Sequence, residues 1–158
     1  MSELFEVAEL VKVAVDDEAT GVVFYNAIAE KVTNPKLKKL FADLAEEELY
    51  HKTRFEQMLA DLGPKVSREE YPGQYTEYLR ALTGERAFPD EQTAMQIAAE
   101  CDSDAEAVNI SSRFERDTLV LMNEMRHLVP DKDQAVVDEL IREEQGHLVQ
   151  LAQARTML

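Results

Sequence analysis

Four stretches of this chain place apolar residues at alternating intervals of four and three. The first runs Val7, Val11, Ala14, Glu18, Gly21, Tyr25, Ile28, Val32, and the second Leu37, Phe41, Leu44, Glu48, His51, Phe55, Met58, Leu62. The third runs Val108, Ser111, Glu115, Thr118, Met122, Met125, Val129, and the fourth Val137, Leu140, Glu144, His147, Leu151, Ala154, Leu158. Residues so spaced lie along one face of a helix, and a seam of this kind is the inward face of an antiparallel helical bundle. The pattern predicts an all-α protein with four long helices.

Local signals place the ends. The first helix is expected over 4–32. Asn34 and Pro35 form an N-cap and first-turn pair for the second, which Gly63 and Pro64 end. Ser103 begins the third, with Glu106 completing a capping box. Pro130 and Asp131 mark the turn into the fourth, with Gln134 as its partner three residues on. Linkers this short pair the helices as two antiparallel hairpins, 4–62 and 103–158, within one domain over 1–158. The crossover, 63–102, is too long to lack structure, and short helices are predicted at 75–83 and 90–100, the second capped by Asp90 after Pro89. Tyr71, Tyr75 and Tyr78 are expected to pack this excursion onto the bundle or onto a second subunit. The hairpins also read as copies of one another: Asn26 corresponds to Asn123, Val32 to Val129, and Leu44 to Leu140.

Six seam positions carry a carboxylate or an imidazole. Glu18, Glu48, His51, Glu115, Glu144 and His147 are polar, and within each segment the glutamate takes the same heptad position, with each histidine one turn later. An unpaired carboxylate in an apolar interior is costly and takes up a proton instead, and four converging carboxylates repel one another. Two divalent cations would cancel that charge, with neutral imidazoles completing the coordination. Residues three apart share a helix face, so Glu48 with His51 and Glu144 with His147 can each grip one ion. Carboxylate oxygens with two imidazoles suit iron or manganese, with zinc as a further candidate. One Glu from each of two helices and a Glu-x-x-His from each of the others is the donor set of di-iron carboxylate bundles.

The third histidine supplies a control. Glu124 precedes His127 at the same spacing, but both fall off the seam through Met122, Met125 and Val129. They are expected to form a solvated surface pair.

Composition narrows the picture. A chain of 158 residues can bury a sizeable core. Acidic residues outnumber basic ones 32 to 17, giving a net charge of −15 that argues against nucleic-acid and anionic-membrane partners. No long apolar run and no leading charged-then-apolar segment is present, so a cytoplasmic location is expected. The single Cys101 cannot form an internal disulfide and is expected half-buried on a helix.

Two pairs of segments carry a family resemblance: Glu18-Ala-Thr-Gly-Val-Val-Phe-Tyr25 with Ala45-Glu-Glu-Glu-Leu-Tyr-His51, and Glu115-Arg-Asp-Thr-Leu-Val-Leu-Met122 with Arg142-Glu-Glu-Gln-Gly-His147. Over both hairpins the chain resembles the rubrerythrin-like branch of the ferritin-like superfamily. The resemblance implies a ferritin-like four-helix bundle with a di-iron centre that reduces hydrogen peroxide or oxidises ferrous iron with O₂ or peroxide. It implies Glu18 and Glu115 as lone carboxylate ligands, Glu48 and Glu144 as bridges, and His51 and His147 as one cap for each ion. Tyr25, one heptad beyond Glu18, is a candidate to hydrogen-bond a ligand carboxylate or, equally, to be a core tyrosine with a satisfied hydroxyl.

The chain departs from the family in two ways. Rubrerythrins proper carry a rubredoxin-like domain with paired Cys-x-x-Cys motifs. With one cysteine this chain has none, so the electron donor is expected to be external, such as a rubredoxin-like protein. They also carry a further glutamate one turn after the third-helix ligand, where this chain has Thr118, so the resemblance does not extend to a ligand exchange there. The expected function is a di-iron oxidoreductase acting on O₂ or H₂O₂, with a non-catalytic iron- or zinc-handling protein as the alternative. A homodimer is the expected assembly.

Overall fold

The computed structural model describes residues 7–62, 73–84, 86, 88 and 90–158. Six helices follow in order: α1 Val7–Lys31, α2 Pro35–Leu62, α3 Gly73–Gly84, α4 Glu91–Glu100, α5 Asp104–Arg126 and α6 Asp131–Arg155. There is no strand among the described residues. α1 packs along α2 and α5 along α6, the two expected hairpins, and α1–α5 and α2–α6 contacts join them. α4 lies against the outside of α1.

The helix ends show why the chain folds locally as it does. Asn34 Oδ1 accepts from the Lys36 N–H at 2.9 Å and the Leu37 N–H at 3.4 Å, satisfying donors at the start of α2. Asp90 caps α4 by accepting from the Thr93 N–H at 2.6 Å. Ser103 Oγ accepts from the Glu106 N–H at 3.1 Å, while the Glu106 carboxylate takes the Asp102 N–H at 2.7 Å, one residue upstream of the expected reciprocal bond. α6 differs from expectation. Its cap is Pro130, which has no side chain able to accept, and Gln134 Nε2 reaches Asp131 Oδ1 at 3.4 Å instead of a backbone group.

The crossover helix expected over 75–83 spans Gly73–Gly84. Tyr78 is exposed and its hydroxyl donates to Glu124 Oε1 at 3.1 Å, docking α3 onto α5. Tyr71, Gly63, Pro64, the Tyr75 side chain and residues 4–6 lie outside the described residues. Cys101 is not half-buried on a helix: it is buried at the C-cap of α4, and its Sγ donates to the Ser103 carbonyl.

Every residue of the four seams is buried except Leu158, which lies beyond the end of α6 and is half exposed. The apolar core separates into two clusters. One holds Phe24, Tyr25, Ile28, Phe41, Leu44, Val108, Phe114 and Leu151, and the other Val11, Phe55, Met58, Met122, Met125, Val137 and Leu140. On every long helix, the seam glutamates and histidines fall between the stretches that feed these two clusters. Aliphatic and aromatic packing thus seals a polar layer from both ends of the bundle.

Candidate metal centre

Each of the six seam glutamates and histidines is at most 1% exposed. Glu18 comes from α1, Glu48 and His51 from α2, Glu115 from α5, and Glu144 and His147 from α6. Their donor atoms gather into two overlapping groups, Glu18–Glu48–His51–Glu144 and Glu48–Glu115–Glu144–His147, each with its atoms within 4.8 Å of one another. Glu48 and Glu144 belong to both groups. His51 Nδ1 lies 2.7 Å from Glu144 Oε1 and 3.8 Å from both Glu18 Oε2 and Glu48 Oε2. On the other side, His147 Nδ1 lies 2.8 Å from Glu144 Oε2, 3.3 Å from Glu48 Oε1 and 3.5 Å from Glu115 Oε1. The two imidazole rings stack with their centroids 5.5 Å apart and their planes at 15°.

Local packing makes room for this. Gly21, one turn beyond Glu18, lets α1 approach the middle of the bundle. A Cβ there would stand 2.8 Å from Phe114 Cζ and 3.4 Å from Glu48 Cγ. The Tyr25 ring sits between Phe41 and Phe114, and its hydroxyl donates to Glu115 Oε1. Both readings of Tyr25 meet in this geometry: its hydroxyl is bonded to Glu115, and its buried ring belongs to the apolar core.

The electrostatics are those of a charge-rich layer buried from solvent. Burial, followed by the charge of Glu48, pushes the Glu18 carboxyl well above its ordinary range. Burial and then Glu144 push Glu115 up to about 8. Glu144 goes the other way: burial and Glu48 raise it, but the neighbouring His147 and His51 imidazoles hold it below its ordinary value. Burial alone would lower His51, yet its bond to Glu144 and the surrounding carboxylates push it up to about 9. His147 is also pushed up, because the carboxylates of Glu115, Glu144, Glu47 and Glu48 outweigh its burial.

Even so, the protein's own groups leave this layer unsatisfied. Among the described residues, the buried side-chain atoms with no hydrogen-bond partner are both oxygens of Glu18 and of Glu48, Glu115 Oε2, Glu144 Oε2, His147 Nδ1 and Asp133 Oδ2. All but the last belong to the site. Such atoms are rare in folded proteins, because each forfeits its solvation without compensation. Their chemistry, hard oxygens converging with imidazole nitrogens, fits a pair of first-row divalent cations.

Four residues around the site escape the seam pattern. Glu143 and Glu47 bond the outer nitrogens of the two histidines: His51 Nε2 donates to Glu143 Oε2 at 2.7 Å, and His147 Nε2 to Glu47 Oε2 at 2.5 Å. Their signal in the sequence is a doubled Glu-Glu-x-x-His, each glutamate standing immediately before a seam glutamate. Asp17, only 2% exposed, accepts from Thr118 Oγ1 at 2.9 Å and faces Arg86 Nη1 at 3.5 Å. Burial pushes its carboxyl up to about 7, opposed by Arg86 and by the Thr118 bond. Arg86 also donates to the Thr83 and Val13 carbonyls, lacing the crossover to α1. Thr118 thus serves Asp17. The control pair stays outside: His127 is exposed at the C-cap of α5, and Glu124 accepts from Tyr78.

No helix among the described residues is long and apolar enough to cross a membrane. Similarity to known proteins agrees with the geometry. The chain is similar to a solved Thermotoga maritima protein described as ferritin-like and diiron-carboxylate, with 22% identity, a TM-score of 0.71, and coverage of 99% of this chain and 98% of that one. At that identity the likeness shows the ferritin-like fold. No curated protein matches the chain. The family model for rubrerythrin matches residues 9–154, nearly the whole length. The chain belongs to the rubrerythrin family.

Proposed function

We propose that this protein is a di-iron oxidoreductase that reduces hydrogen peroxide or O₂. The observation that carries the reading is the pair of overlapping donor groups, with most of their buried oxygens unpartnered. Glu18, Glu48, His51 and Glu144 would hold one ion, and Glu48, Glu115, Glu144 and His147 the other, with manganese or zinc as competitors of iron. Iron bound there would supply the redox chemistry.

The chain's own residues supply the rest. Glu48 and Glu144 belong to both groups, so they are placed to tie the two positions together. Tyr25 fixes one oxygen of Glu115 and leaves the other free. The apolar clusters on either side exclude water, which strengthens each electrostatic contact within the layer. The sequence holds one cysteine and no Cys-x-x-Cys pair, so turnover in this reading draws electrons from an external donor, such as a rubredoxin-like protein.

Anaerobic loading with Fe(II), followed by H₂O₂ or O₂, tests the reading. Rapid consumption of oxidant in proportion to bound iron is the expected result. Stable binding with no oxidant consumption would instead assign the protein to metal handling.

A further inference from the structure

The two histidines are buried, but the groups bonded to their outer nitrogens are not. Glu143 and Glu47 have side chains 38% and 48% exposed. Each stands one residue before a glutamate of the site, so the helix turns it about 100° away from the seam, toward the neighbouring helix. The pairing is crossed. His51 of the first hairpin is bonded by Glu143 of the second, and His147 of the second by Glu47 of the first.

We propose that Glu47 and Glu143 are positioning residues that fix each imidazole with Nδ1 turned into the site and at the same time brace one hairpin against the other. The proposal rests on the two-metal reading above. An imidazole has two nitrogens and can flip about its ring bond; whichever one is held outward settles which faces in. A carboxylate on the outer N–H also makes the inward nitrogen a better donor, and partners of this kind typically contribute 10–100-fold to metal affinity. Because each brace comes from the opposite hairpin, neither hairpin orients its own histidine. The inward face of each ring agrees: both Nδ1 atoms lie within 4 Å of three site carboxylates.

The test uses the full chain loaded with Zn(II), which is diamagnetic, together with the variants E47A, E143A, E47Q and E143Q. Both positions are on the exposed side of their helices, so truncation is not expected to unfold the protein. Imidazole N–H signals in the NMR spectrum report each brace separately, and competition with a chromophoric chelator reports affinity. E47A is expected to abolish the exchange-protected Nε2–H signal of His147 while leaving that of His51, and to weaken zinc binding about 10- to 100-fold at one position. E143A should do the converse. The Gln variants keep an accepting oxygen and should restore the signal and most of the affinity, a rescue that general loss of packing would not show. Alanine variants that keep both protected signals and wild-type affinity at both positions would overturn the proposal. If the wild-type chain bound no zinc, the two-metal reading would fail, yet the same N–H signals in the metal-free protein would still decide the brace: residue-specific loss supports it, and unchanged signals refute it.

Discussion

The Tyr25 hydroxyl, on α1, donates to Glu115 Oε1, on α5, across a sequence separation of 90 residues. No counterpart serves Glu18, whose two oxygens are both unpartnered, because the repeat-equivalent of Tyr25 is Met122. The two halves of the site share a plan but differ in this anchor. Tyr25→Phe keeps the ring packing against Phe41 and Phe114 and deletes only the donor. The expected loss is about 1–3 kcal/mol of stability in the metal-free protein, the cost of leaving a buried acceptor unpaired. Denaturant unfolding measures it, and an unchanged midpoint would show that the bond contributes nothing.

Gly21 gives a sharper steric prediction. Gly21→Ala gains about 1 kcal/mol in helix propensity but forces a Cβ to within 2.8 Å of Phe114 Cζ. Phe114 is held by Phe88 and Tyr25, so it cannot swing aside freely. Overpacking of this kind costs about 1–3 kcal/mol, so the net effect is destabilising by up to about 2 kcal/mol. Metal affinity should fall too, because Glu48 Cγ is the next atom in the way. A variant more stable than the parent would contradict the close approach of α1 to α5.

Proton linkage predicts opposite pH trends with and without metal. Glu115 has its carboxyl pushed up to about 8 from an ordinary 4.5 by burial and by Glu144. Burial opposes protonation of His51, but the bond to Glu144 prevails and pushes it up to about 9 from 6.5. Both groups bind protons in the folded metal-free protein that the unfolded chain has released. Each contributes stability that is full below its ordinary value and is lost as pH rises through the folded value. The metal-free protein should therefore weaken between about pH 4.5 and about pH 9. Cations displace the same protons, so metal affinity should rise over that interval. Unfolding midpoints taken with and without Zn(II) at several pH values check both slopes. A metal-free midpoint that climbs with pH would contradict the protonation states.

The helical seams were legible because burial imposes a period of 3.6, and the four glutamates and two histidines stood out because ionisable groups interrupt an apolar stripe. Position on the seam, rather than spacing alone, separated Glu48–His51 and Glu144–His147 from Glu124–His127. The braces were harder to see. Glu47 and Glu143 are partly exposed, and in a chain this acidic an adjacent pair of glutamates reads as solvated surface. Asp17 gave no warning, since its burial depends on Arg86 and Thr118, 69 and 101 residues away. The crossover's grip on the bundle was equally hidden: Phe88 packs on Phe24 and Phe114 from a segment with no helical period to announce it.

If six residues from four helices hold two metal ions, anaerobic titration of the metal-free chain with Fe(II) will count them. The wild-type protein and His127→Ala should each bind two ions per chain, whereas Glu48→Ala and Glu144→Ala should lose two-ion binding and His51→Ala should bind at most one tightly. A wild-type chain that binds no iron, or a His127→Ala variant as impaired as His51→Ala, would rule out this six-residue site.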